Sequence, residues 1–313
     1  MTEGNPVVCE LTVSNTRRLS TSDLEVTEII NGRPERFRVG MLAGRSATQV
    51  CDYLLPAKRR GVYELPPPVV EIIDPARVIR RRFNTFGTTT FYVHPRYDDI
   101  PGFEAGNRLD ADGLAFLPVV GGVAFYSLRD YIAGDDPRLI HWPSTARTGT
   151  LKVRHNGVPD SPGYLLILHT ATAPYTDESF EDAIRVAASL AVAATRTGAR
   201  LYLRTTNRQQ APPDRTGTPV TSALDFLAAV ARDESPVRWS TALVPDQDIA
   251  GITVVTGEIT DEEVSAIARA GDPGTSLLVI RVVPGARSGR ARGPVDVMTV
   301  SSSSEFVANW DGQ

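Results

Sequence analysis

Two kinds of hydrophobic pattern divide this chain. Over residues 7–93, apolar and polar residues alternate in short runs, the mark of half-buried strands. Runs at 7–13 (VVCELTV), 24–30 (LEVTEII), 37–39 (FRV), 49–55 (QVCDYLL), 61–65 (GVYEL), 69–73 (VVEII) and 89–93 (TTFYV) predict seven short strands. Asn31-Gly32 between two such runs is a hairpin dipeptide, because both residues tolerate the positive φ of a tight turn. Seven short strands with turn signals between them predict an immunoglobulin-like β-sandwich over residues 1–93.

The pattern changes after residue 160. Residues 164–168 (YLLIL) are continuously apolar, as in a parallel strand buried on both faces. Residues 177–197 then repeat apolar positions at helical spacing, with Asp177 able to cap the start and Gly198 the stop. Further strands are predicted at 200–205, 252–255 and 276–282, and a fifth, or an edge, at 295–300. Helices are predicted at 222–232, at 261–270 with Thr260 as its cap, and at 305–310. Alternating strands and helices with hydrophobic strands predict a doubly wound α/β sheet over residues 161–313. Residues 94–160, rich in Pro, Gly and Asp at their start, read as a connector. Residues 284–293 read as a Gly/Arg-rich loop.

Composition narrows the class. A chain of 313 residues holds about two domains. Its net charge of -4 gives no general affinity for nucleic acid, so none is expected as a partner. Lys58-Arg59-Arg60 and Arg80-Arg81-Arg82 are local exceptions, read as solvated loop charge or as contacts with a partner or an acidic membrane surface. Cys9 and Cys51 read as small core residues of a cytosolic protein. No apolar run approaches the roughly 18 residues of a spanning helix, and no signal peptide opens the chain.

The densest chemistry lies in residues 125–154, FYSLRDYIAGDDPRLIHWPSTARTGTLKVR. Asp135 or Asp136 can cap a short helix with Pro137 in its first position, and Pro143 ends or kinks it. Arg129, Arg138 and Arg147 among these acids predict a planar-fork network of arginines and carboxylates. Such a network is either a structural clasp or a ligand or partner site. The candidate binding residues are therefore Arg129, Asp135, Asp136, Arg138, His141, Trp142 and Arg147. No glycine-rich phosphate loop follows a strand, no Gly-x-Ser-x-Gly elbow is present, and no Cys/His spacing suits a metal. No catalytic residue and no cofactor is assigned. His169, at a strand end, reads either as a hydrogen-bonded structural residue or as a base or ligand.

Residues 125–154 resemble the signature of the bacterial proteins called domain of unknown function 58. The matching positions are Ser127, Leu128, Arg129, Tyr131, Gly134, Asp135, Arg138, Ile140, Trp142, Ala146 and Arg147. Residues 58–63 (KRRGVY) and Asp74-Pro75 resemble segments of that family's β-rich part. The chain after residue 160 resembles its von Willebrand factor A-like domain. The resemblance implies a non-enzymatic scaffold or adaptor, working with a MoxR-type AAA+ ATPase in assembly or maturation of client proteins. It also implies a cytoplasmic chain, or the soluble part of a protein whose membrane anchor lies outside this sequence. The alternative is an enzyme of unknown class with a site at the domain junction around Asp135, Asp136 and His141. One departure is chemical. Where von Willebrand A domains carry the Asp-x-Ser-x-Ser of a Mg²⁺ site, this chain has His169, Ala171 and Ala173, with Thr256-Gly257 in place of a Thr-Asp pair. A hard cation needs oxygen ligands, so the usual metal is not expected.

Overall fold

The computed structural model describes residues 1–30, 32–45, 47–55, 57–74, 76, 78–84, 87–103, 127–132, 140–142, 145, 149–155, 163–212, 219–244, 249–271, 275–293 and 295–310. By its contacts the chain forms two compact units. One comprises Met1–Arg96 with Thr221–Ala231, the other Tyr97–Val220 with Arg232–Gln313.

The first unit is β-rich. Its strands are β1 (Val7–Asn15), β2 (Asp23–Ile30), β3 (Arg33–Met41), β4 (Ala47–Leu55), β5 (Gly61–Leu65), β6 (Val69–Ile73), β7 (Arg80–Asn84) and β8 (Thr89–Val93). A four-stranded sheet runs in the order β3-β2-β6-β7, with separate antiparallel pairs β1-β4 and β5-β8. The alternation of β2 is the reason for its place. Leu24, Val26 and Ile30 are buried, while Glu25 and Thr27 point the other way. Leu24, Val26, Val39 and Leu42 pack with Leu11 and Val13 of β1 and Ala47 and Cys51 of β4, so the β1-β4 pair covers one face of the sheet. Each fully buried aliphatic side chain contributes about 1.5–3 kcal/mol. Cys9 and Cys51 are free and half-buried, Cys51 packing against this core.

β7 was not expected from the pattern, because Arg80-Arg81-Arg82 reads as loop charge. Pairing supplies what propensity lacks: Ile73, Ile72 and Glu71 of β6 face Arg80, Arg81 and Arg82. Arg80 also meets the Glu71 carboxylate at 3.5 Å, and Arg81 lies over the Phe83 ring at 5.3 Å. β7 is an edge strand, where charge discourages pairing with foreign strands.

The first unit also holds helix α2 (Pro219–Ala229), which the chain reaches much later. Arg60 fastens it. Its Nη1 lies 2.8 Å from the carbonyl oxygens of Leu227 and Val230 and 3.1 Å from that of Ala228. The last carbonyls of a helix have no partner within it, and a cation there also complements the helix dipole. His94 meets Asp225 on the same helix at 2.7 Å. Arg60 is therefore a cap rather than solvated charge.

The second unit is built on a mixed sheet in the order β12-β11-β13-β14-β16-β15. Its strands are β11 (Gly163–Leu168), β12 (Arg200–Thr205), β13 (Ile249–Thr256), β14 (Ser276–Val282), β15 (Gly289–Ala291) and β16 (Asp296–Val300). All are parallel except β15, a short antiparallel edge formed by the Gly/Arg-rich segment. Every residue of β11 and β13 is buried, which explains the unbroken apolar run of β11 and the mostly apolar sequence of β13. Helix α1 (Asp177–Arg196) carries a capping box from Thr176 and Ser179. Its Ala183, Ala187, Ala188, Ala191 and Ala194 are buried, and small side chains let a helix lie close to a sheet. The short α3 (Trp239–Ala242) and α4 (Asp261–Ala270) bring Trp239 and Ile267 onto Leu165, Ile167, Ile252 and Val254. Helix α5 (Ser303–Ala308) closes the described chain, with Ser303 Oγ donating to Asp182. An antiparallel pair, β9 (Ser127–Asp130) with β10 (Lys152–His155), precedes the sheet. No helix among the described residues is long and apolar enough to cross a membrane.

Replacing Arg60 with Ala is expected to destabilise the protein by ~1–3 kcal/mol, because a charged donor and the carbonyls it serves lose each other. A urea unfolding midpoint that falls in Arg60→Ala and recovers partly in Arg60→Lys is the outcome that checks this.

Candidate functional site

Two places carry the candidate chemistry. The first is the signature segment. Residues β9 and β10 pair in the register Ser127–His155, Leu128–Arg154, Arg129–Val153 and Asp130–Lys152. The pair is extended by Tyr131 N–H donating to the Leu151 carbonyl at 2.9 Å. His141 N–H donates to the Lys152 carbonyl at 2.8 Å and the Lys152 N–H to Thr145 Oγ1 at 3.0 Å, so His141 and Thr145 lie against the start of β10. His141 is half-buried. Trp142 is 65 % exposed, and Ile132 and Leu151 are exposed as well. Tyr131, Thr150, Leu151 and Lys152 line an open depression beside them.

Arg129 sits on β9, where its backbone alone is described. Asp135, Asp136, Arg138 and Arg147 lie outside the described residues, and with them the expected capped helix and the arginine–carboxylate network. His141 and Trp142 are thus the two expected site residues whose side chains are described.

The second place is the carboxyl end of the central strands. The strand order turns around at β11, with β12 on one side and β13 on the other, and a crevice is expected outside that point. His169 follows β11 there. Its side chain is only 1 % exposed, and Nδ1 lies 2.7 Å from Thr256 Oγ1 at the end of β13. The ring packs edge-on against Trp239 and Tyr175, with centroids 5.1 and 6.0 Å away. Its Nε2 meets no hydrogen-bonding atom among the described residues. Burial holds this imidazole neutral and lowers its pKa to about 4, although Glu263 and Asp233 pull the other way.

Around the histidine the crevice is closed by a hydrogen-bonded lattice. Thr170 N–H donates to Thr206 Oγ1 at 3.1 Å, and Thr172 N–H donates to the Asp233 carbonyl at 2.9 Å. Burial alone would raise the Asp233 carboxyl. Hydrogen bonds from Thr170, Ser235 and Asn207 outweigh it and hold the group below the usual carboxylate range. Gly257 lets the loop before α1 settle on the end of β13, since a Cβ there would stand 2.2 Å from the Pro174 carbonyl oxygen. Sequence reasoning named His169 and missed Tyr175, Trp239 and Asp233. Trp239 lies on a helix of four residues, too short for a periodic pattern to announce.

These residues do not fit the Mg²⁺ site that the resemblance implies. The first-loop positions hold a buried imidazole and two methyl side chains, Thr256 Oγ1 faces the imidazole, and Glu258 points to solvent. Among the described residues no three His, Cys, Asp or Glu side chains gather as metal ligands.

A β-rich unit, a mixed sheet with helices on it, and a signature segment leading into that sheet define the class of this protein. The particular family follows from sequence comparison. The family model described as protein of unknown function DUF58 matches residues 127–301, more than half of the chain, and the chain belongs to that family. The match runs from the first residue of β9 to the residue after β16. No curated protein and no solved structure matches the chain.

Because the His169 ring charges only below about pH 4 when folded and near pH 6.5 when unfolded, its contribution to stability is complete above about pH 6.5. It is lost as pH falls toward 4, by ~2–3 kcal/mol. Urea unfolding between pH 7 and pH 4.5 should show this slope reduced in His169→Gln; an unchanged slope would refute it. Calorimetric titration with MgCl₂ should give no site of micromolar affinity. Micromolar binding that disappears in Glu258→Ala would overturn the assignment.

Proposed function

We propose that the chain is a non-enzymatic adaptor working with a MoxR-type AAA+ ATPase in the assembly or maturation of client proteins. In this reading the first unit is an immunoglobulin-like sandwich and the second a von Willebrand factor A-like, doubly wound sheet without the usual metal. The parallel strand order, turning around at β11, supports the second likeness. The packing of the β1-β4 pair on the four-stranded sheet supports the first.

The exposure of Trp142 carries the functional reading. A tryptophan inside a family-defining motif would be expected to pack inward if the motif were only a clasp. Here it is 65 % exposed, in a segment that also exposes Ile132 and Leu151. Aromatic residues on a surface are the usual anchors of protein interfaces. The strand-end crevice, by contrast, is filled by His169, Tyr175 and Trp239, which favours the signature segment over the crevice as a contact surface.

In co-purification with the MoxR-type ATPase, Trp142→Ala should weaken capture by about tenfold or more. Its unfolding midpoint should stay near that of the unchanged protein, as expected for an exposed site. Undiminished capture would count against the signature segment as the contact surface.

A further inference from the structure

One end of the first unit gathers three loops. The strand register establishes this. Asp23, which opens β2, faces Met41 at the end of β3 and Ile73 at the end of β6, and Ile73 faces Arg80 at the start of β7. At the same end Asn15, the last residue of β1, pairs with Ala47, the first of β4. The β1–β2, β3–β4 and β6–β7 connections therefore emerge side by side.

Single apolar side chains stand exposed on or beside them. Leu19 is 81 % exposed, Met41 68 %, Val78 80 % and Ile79 67 %. Around them stand exposed arginines: Arg17 and Arg18 before Leu19, Arg45 after Met41, and Arg80, Arg81 and Arg82 after Ile79. The acids at this end are already engaged. Asp23 meets Arg38 at 3.3 Å, Glu71 meets Arg80 at 3.5 Å, and the Asp74 carboxylate accepts the N–H groups of Ala76 and Ile79. Positive charge is left in excess.

The exposure is built into the loops. The buried Asn15 holds two of them: its amide donates to the carbonyls of Leu19 at 2.8 Å and Ala43 at 3.0 Å, and its oxygen accepts from Arg17 N–H at 3.0 Å. Gly44 permits the closest approach, since a Cβ there would lie 2.1 Å from the Arg18 carbonyl oxygen. Arg45 takes a positive φ of 67° and donates its N–H to the Arg17 carbonyl at 2.8 Å. Asp74 closes the third loop, its N–H donating to the Ile79 carbonyl at 3.1 Å. A non-glycine residue at positive φ and a buried amide spent on three loop contacts are costs, here incurred to hold aliphatic side chains in water.

We propose that this end of the first unit docks on an anionic phospholipid bilayer. Leu19, Met41, Val78 and Ile79 enter the boundary between headgroups and acyl chains, and the arginines meet lipid phosphates. The chemistry separates this occupant from others. Nucleic acid would call for stacking aromatics, and a protein partner for aromatic anchors in a shaped patch, whereas the four tips are all aliphatic. Separate apolar tips ringed by guanidinium groups suit a surface that is fluid, apolar beneath and negative above.

The test is co-sedimentation of the full chain with vesicles of phosphatidylcholine alone, or with about one third phosphatidylglycerol. The chain should sediment with the anionic vesicles and not with the neutral ones, and be released as NaCl is raised to about 0.5 M. Inorganic phosphate at matched ionic strength should not compete. Leu19→Ser with Ile79→Ser, and separately Arg17→Glu with Arg18→Glu, should each lower partitioning by about tenfold or more. Both double variants should keep their unfolding midpoints. No binding to anionic vesicles, equal binding to neutral ones, displacement by phosphate, or binding that survives both folded double variants would overturn the proposal.

Discussion

The second unit depends on two strands that meet no water. Every residue of β11 and β13 is buried, so their faces carry mostly apolar side chains, with Thr253 the polar exception in mid-strand, and the remaining polar chemistry gathers at their ends. The ends are where His169 and Thr256 sit, one hydrogen bond apart. A sheet core this dry dictates what a strand-end residue can be. A charged side chain would need partners or water, while a neutral imidazole packed edge-on against Trp239 and Tyr175 keeps one bond, to Thr256, and carries the smaller cost of an Nε2 unmatched among the described residues. A histidine at this strand end thus joins the hydrophobic packing rather than offering a carboxylate to solvent or a cation.

Such closure shifts any binding role outward. Two groups of exposed apolar residues on the described surface differ in chemistry. The signature segment presents an indole beside a short antiparallel pair. The loop end of the first unit presents aliphatic tips among arginines. An exposed indole suits a defined protein contact, and aliphatic side chains amid diffuse positive charge suit a soft, negative surface. The two are independent: they belong to different units, and neither reading requires the other.

How much of this was legible in the sequence depended on which force set each element. Strands at 200–205 and 276–282 and the helix at 261–270 are bounded as their pattern predicts, because a run of hydrophobic strand residues and a capping box write themselves into residue order. β7 was hidden, since three arginines form a strand only through partners on β6. β15 was hidden too, as a three-residue edge inside a Gly/Arg-rich run. The start of α2 was misplaced by three residues, its first residue being a proline that a helix accepts in its first turn. Of the site, His169 was visible as a strand-end residue. Its neighbours Trp239 and Tyr175 arrive from distant parts of the chain, and no local pattern links them. Arg60 looked like its neighbours Lys58 and Arg59, and only the fold gives it carbonyls to serve.

The membership of α2 in the first unit makes that unit discontinuous. The chain passes from one unit to the other after Arg96, returns at Thr221, and leaves again after Ala231. No single cut therefore yields two complete halves. A fragment ending at residue 96 would carry Arg60 and His94 without the carbonyls and the Asp225 carboxylate they hold, and its complement would carry a helix whose last turn has lost its cation. The units are inherited as a pair: neither can be shuffled into another gene by one recombination event without leaving part of itself behind.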